Sequence, residues 1–264
     1  MESASSAASE ARKKEFIAEA LRIIDEAQRR GIILRLMGGF AIRLHCPKYD
    51  YLYSGLNRIP AFDFDLVSYS EFRPKMKELF GELGYEPLRT LALMGRSGRS
   101  RQIYEDDAHG RSVDVFFDKL EMCHIIDFTG RLELDYPTIT LSDLFLQKMQ
   151  IVRINEKDIK DTIIMLREHE VGEKEKDTVN VTYITRILSG DWGFYYTVLK
   201  NLETVSSMLR KYDALNSEDR EDIQSKLGVL REKIEGEPKT MRWKVRARIG
   251  PAKKWYADVE EVRR

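Results

Sequence analysis

The stretch Phe62-Asp63-Phe64-Asp65-Leu66-Val67 constrains this chain more than any other. Successive side chains of a strand point to opposite faces, so residues two apart share a face. The alternation reads as a strand with Phe62, Phe64 and Leu66 turned to a core and Asp63 and Asp65 turned together to the other side. Such a strand needs partner strands and a covering layer, so a sheet with helices packed on it is expected. Two carboxylates this close raise each other's pKa. A divalent cation relieves that repulsion, and Mg²⁺ shares its shell between one or two carboxylates, water and substrate phosphates.

Alone, the D-x-D spacing is weak, because most such triplets are solvated strand faces or turns. Three neighbours strengthen it. Gly38-Gly39 follow the apolar run Ile32–Met37 and precede a helix predicted over Phe40–His45. Glycines there let backbone N–H groups approach phosphate oxygens, and the helix N-terminus adds a positive dipole. Asp114 stands between Val113 and Val115 in an apolar strand, where a lone carboxylate is costly unless paired or metal-bound. Arg58 lies a few residues before Asp63 as a partner for phosphate or carboxylate. The bland alternatives are a plain turn, a water-facing strand edge and a solvated loop arginine.

Around this constellation the periodicities alternate. Phe16, Ala20, Ile23, Ile24 and Ala27 recur at helical spacing in a helix predicted over Ser9–Arg30, behind a polar N-terminal segment read as a frayed tail. A Tyr-rich loop spans Lys48–Pro60, and a helix follows over Glu71–Leu83. Further strands are expected at Tyr85–Leu93, Arg101–Glu105 and Ser112–Phe117, with turns at Arg96–Ser100 and Asp106–Gly110. Beyond Tyr136 the pattern becomes helical. Thr140-x-x-Asp143 reads as an N-terminal cap of a helix through Arg153, and Asn155 opens another through His169. A polar linker is predicted over Gly172–Asp177, then helices at Val181–Leu188, Phe194–Tyr212 and Ser217–Ile234 and a tail at Met241–Arg264. The fold class expected is α/β (α+β), a mixed sheet flanked by helices over residues 1–140 and an all-helical region over 141–264.

The strings Leu36-Met37-Gly38-Gly39-Phe40-Ala41-Ile42, Arg58, Asp63-Phe64-Asp65-Leu66 and Val113-Asp114-Val115-Phe116 together resemble the DNA polymerase β-like nucleotidyltransferase superfamily. In pattern they are closest to the abortive-infection type IV toxins and the small antibiotic nucleotidyltransferases. The resemblance covers about Ile32 to Phe117 and reaches more loosely to Asp161. It implies an enzyme that moves a nucleoside monophosphate from an NTP substrate to an acceptor hydroxyl and releases pyrophosphate, using two Mg²⁺ (or Mn²⁺) ions. Asp63 and Asp65 would bind the nucleotide-bound metal. Asp114 would bind the second and help deprotonate the acceptor. Gly38 and Gly39 would cradle the triphosphate. The toxin group also carries a lysine and a K-D-x-x-D string on later helices, matched here by Lys148 and by Lys157 to Asp161, which makes Lys148 a candidate phosphate ligand.

Net charge tempers the remaining readings. The 44 Lys and Arg equal the 44 Asp and Glu, so bulk charge gives no case for nucleic acid. Arg242, Lys244, Arg246, Arg248, Lys253 and Lys254 near Trp243 and Trp255 nonetheless form a local basic tail suited to an RNA contact. A non-catalytic nucleotide-binding or regulatory module, for instance half of a toxin–antitoxin pair, is the other alternative. Two cysteines outside any CxxC and no apolar run near the ~20 residues a membrane span needs point to a cytoplasmic protein without a membrane partner. Convergence of three carboxylates leads to one further expectation. Asp114→Asn should melt at an equal or higher temperature than wild type in EDTA.

Overall fold

The computed structural model describes residues 2–58, 63–88 and 101–259. The chain divides into two compact units, one of residues 1–40, 61–119 and 128–139 and one of residues 41–60, 120–127 and 140–264. Segments 41–60 and 120–127, which precede the expected boundary at 140, belong with the helical unit.

The first unit is built on a mixed five-stranded sheet. Its strands are β1 (Leu34–Met37), β2 (Asp63–Ser68), β3 (Glu86–Pro87), β4 (Arg101–Asp106) and β5 (Arg111–Phe117), in the order β1-β2-β5-β4-β3. β2 and β5 run parallel, and the other pairs are antiparallel. The long helix α1 (Glu2–Arg29) buries Phe16, Ala20, Ile23, Ile24 and Ala27, the positions its helical period marks. Its Phe16 ring stacks on Phe64 of β2 at 4.3 Å. Helix α4 (Arg73–Glu82) places Phe80 on Tyr104 of β4, also at 4.3 Å. Register puts Tyr104 opposite Val113, and Val113 beside Phe64. Both helices therefore cover the Phe64 face, which leaves the other face to Asp63, Asp65 and Asp114.

Two short helices follow β1 in the chain: α2 (Gly38–His45), whose residues to 40 are assigned to the first unit and from 41 to the second, and α3 (Asp50–Gly55), which belongs to the second unit. The second unit then carries the ribbon of β6 (Lys119–Glu121) and β7 (Ile125–Asp127), and helices α5 (Leu141–Met149) and α6 (Glu156–Glu168). A parallel pair follows, β8 (Glu170–Gly172) and β9 (Thr178–Asn180). Helices α7 (Val181–Gly190), α8 (Trp192–Met208), α9 (Ser217–Gly236) and α10 (Met241–Ile249) complete it. The caps read from sequence at Thr140 and Asn155 accept the N–H groups of Asp143 and Asp158.

Several expectations change. The N-terminal segment is helical from Glu2 rather than frayed, in keeping with the helix propensity of its Ala, Glu, Lys and Arg residues. The loop 48–60 contains α3, whose Leu52 and Tyr53 are buried. The linker expected at 172–177 joins two paired strands, with Gly172 itself ending β8. The first helix after Thr140 stops at Met149, where Asn201 Nδ2 of α8 donates to the carbonyls of Met149 and Ile151. The C-terminal tail contains α10. Phe62, the part of the expected 85–93 strand beyond Leu88 and the turn at 96–100 lie outside the described residues. No described helix is long and apolar enough to cross a membrane.

Candidate active site

The carboxylate face follows from strand register. β2 and β5 pair with Asp65 beside Asp114 and Asp63 beside Ser112. Paired residues of neighbouring strands lie about 5 Å apart with side chains on the same face. Asp63, two residues before Asp65, shares that face. Asp63 is exposed, Asp65 half-buried and Asp114 only 5% exposed, so the face grades from solvent into the sheet.

Gly38 closes one side. β1 pairs with β2 so that Met37 lies opposite Asp65, and Gly38 is the next residue. Its φ of +75° is a conformation that costs L side chains about 1–2 kcal/mol. A Cβ there would sit 2.7 Å from Asp65 Oδ2. Position 38 thus favours glycine for its backbone, and a Cβ there would push the Asp65 carboxylate aside. Gly39 follows in the first turn of α2 and is half-buried.

Arg101 was not singled out by the sequence, and it stands on this face. β4 and β5 pair antiparallel with Arg101 opposite Phe116 and Ile103 opposite Asp114. Arg101 Nη1 reaches Asp114 Oδ2 at 3.2 Å. This contact opposes the expectation for Asp114→Asn in EDTA, because a cation beside Asp114 offsets the repulsion that removing its charge would relieve. Period two would have grouped Arg101 with Ile103 and Glu105, but only register shows that their face is that of Asp114.

Arg58 and Lys148 both converge on Asp161 in the second unit. Arg58 grips Asp161 with two bonds, Nε to Oδ1 at 2.7 Å and Nη2 to Oδ2 at 2.9 Å. Lys148 Nζ lies 2.7 Å from Asp158 Oδ1 and 2.9 Å from Asp161 Oδ2. Asp161 is fully buried, and Arg58 and Lys148 are each 7% exposed. Burial works to raise the Asp161 carboxyl, but Lys148 and Arg58 outweigh it and hold the group below the ordinary aspartate value. Burial likewise works to lower the Lys148 ammonium, and Asp161 and Asp158 carry it above the ordinary lysine value. The two cations read from sequence as phosphate partners are the halves of a buried charge network around Asp161.

Hard oxygen donors on one sheet face fit a divalent cation such as Mg²⁺ in kind. Among the described residues, no three His, Cys, Asp or Glu side chains are gathered closely enough to hold one. Asp114 is engaged by Arg101 instead.

In the tail, Trp243 packs edge-on to Tyr195, the Trp255 indole N–H donates to Thr197, and Arg246 lies 4.5 Å over Trp192. These contacts turn the aromatic residues inward, while Arg242, Lys244 and Arg248 stay exposed.

No protein-family model matches the chain. No curated protein matches it. Among solved structures it is similar to the antibiotic-resistance factor ANT(2'')-Ia, solved in solution, with 13% identity and a TM-score of 0.33 over 90% of this chain and 93% of that one. A likeness of that degree assigns no function.

Proposed function

We propose that the carboxylate face transfers a nucleoside monophosphate from an NTP to an acceptor hydroxyl. The observation that carries this reading is the in-register pair Asp65–Asp114 on adjacent parallel strands, with Asp63 on the same face and Gly38 against Asp65. The acceptor oxygen attacks the α-phosphorus, the bond from that phosphorus to the β-bridging oxygen breaks, and pyrophosphate leaves. Asp63, Asp65 and Asp114 would supply the oxygen donors for Mg²⁺ or Mn²⁺ once drawn together around the ion and with Arg101 displaced from Asp114, and the ion would neutralise charge on the triphosphate and on the leaving pyrophosphate. Asp114, the most buried of the three, takes the proton from the acceptor hydroxyl. Gly38 and Gly39, at the start of α2, would cradle the triphosphate.

The test is incubation with NTPs labelled at the α-phosphate, Mg²⁺ or Mn²⁺, and cell extract, followed by separation of small molecules, RNA and protein. Label should enter one class with wild type and none with Asp63→Asn or Asp65→Asn. Nucleotide binding without any transfer would favour the regulatory module of a toxin–antitoxin type instead. The exposed Arg242, Lys244 and Arg248 support RNA as one acceptor class.

A further inference from the structure

We infer that Arg101 is the internal counter-ion of the carboxylate face and a phosphate ligand of the nucleotide: it pairs with Asp114 until a divalent cation takes that carboxylate, and then turns to a phosphate oxygen. The inference rests on the nucleotidyl-transfer reading and assigns that site a residue the reading does not use.

The contrast with Arg58 carries it. A guanidinium offers five N–H donors in a rigid fork that matches a carboxylate two bonds at a time. Arg58 uses the fork fully on Asp161, at 2.7 and 2.9 Å. Arg101 spends one N–H on Asp114 at 3.2 Å, and its buried Nε meets no hydrogen-bond partner among the described residues. A buried donor left idle is costly and needs an explanation. A residue serving only to hold Asp114 would gain from the second bond that Arg58 makes. An arginine with a spare donor beside a carboxylate face has the equipment to bind a phosphate oxygen. The side chain is 16% exposed, enough for a ligand to reach it, and its Cζ lies 5.8 Å from the Phe116 ring, which favours a cation at that place.

Exchange makes a crossed prediction. Guanidinium and divalent cation compete for Asp114, so removing Arg101 strengthens cation binding. The same change removes a phosphate partner, so it weakens nucleotide binding. Mn²⁺ affinity is read from the free-ion EPR signal of the protein alone. Affinity for each of the four NTPs is read by calorimetry with Mn²⁺ saturating, and melting is followed in EDTA on the same samples. Arg101→Gln should bind Mn²⁺ about tenfold more tightly and its preferred NTP about tenfold more weakly, with Arg101→Lys recovering part of the nucleotide affinity. If both affinities stay unchanged, or both fall together with the folded fraction, Arg101 is structural and the inference is overturned. Should Arg101→Gln fail to fold, Arg101→Lys decides: it keeps one charge but loses the fork, so its NTP affinity must fall between that of wild type and none while its melting temperature holds. Wild type that takes up neither Mn²⁺ nor any NTP removes the nucleotidyl-transfer reading itself, and the inference with it.

Discussion

The two units handle aspartate in opposite ways. In the helical unit Asp161 is sealed from solvent and held by Arg58 and Lys148 together, and Asp158 shares the same lysine. In the sheet unit the aspartates lie on a face that opens from buried Asp114 to exposed Asp63, and Asp114 meets Arg101 through a single bond at 3.2 Å. A buried charge is tolerable only when its partners are complete, so the first arrangement is committed to holding helices together. The second keeps donors close to solvent, where a ligand can compete for them. Residue type does not separate structure from function here; the degree of compensation does.

The largest effect should come from breaking the closed network. Asp161→Asn leaves Arg58 and Lys148 buried without their shared carboxylate and should cost about 3–5 kcal/mol. Denaturant unfolding measures this, and a loss below about 1 kcal/mol would erase the contrast. Asp65→Asn should change stability by less than about 1 kcal/mol while transfer falls at least about a hundredfold. Turnover close to wild type in that variant would remove Asp65 from the chemistry.

Acid should strike the helical unit through a different residue. His124 is 6% exposed, stacks on Phe194 and shares a hydrogen bond with Thr197. Burial pushes its pKa down to about 4, against a slight opposing pull from Asp191. A depressed folded pKa means the histidine folds neutral, so its contribution is whole above about pH 6.5 and is lost progressively as pH falls toward 4, by about 3 kcal/mol in all. Asp161 is protected in that window because its own pKa is depressed, and its contribution goes only at lower pH. The slope of melting temperature between pH 6.5 and 4 should flatten in His124→Gln, compared with the wild-type slope over the same range. An unchanged slope would place the acid sensitivity elsewhere.

Two smaller effects probe the open face. Gly38→Ala should cost about 2 kcal/mol from the left-handed backbone and the contact with Asp65 Oδ2, and it should abolish any melting shift caused by NTP with Mg²⁺. A persistent shift would reduce the glycine to a turn. Asp114→Asn in EDTA should lower stability by about 1 kcal/mol, because Arg101 loses an ionised partner but keeps an amide oxygen to bond. A higher melting temperature would mean that repulsion among the aspartates outweighs the Arg101 pair.

Short-range patterns determined a good part of this molecule. The buried stripe of α1, the two faces of β2 and the caps at Thr140 and Asn155 are set by residues a few positions apart, and local periodicity reports them faithfully. The N-terminal helix and α3 were less legible, because polar and Tyr-rich segments carry little periodic signal. What the sequence left open was pairing across distance. That Asp65 lies beside Asp114, that Arg101 shares their face, and that Arg58 and Lys148 converge on Asp161 depends on strand register and helix packing between segments far apart in the chain. A lone arginine or lysine looks the same in sequence whether its charge is spent or spare. Only the tertiary structure decides, because it sets how many of its donors find a partner and how much water remains around them.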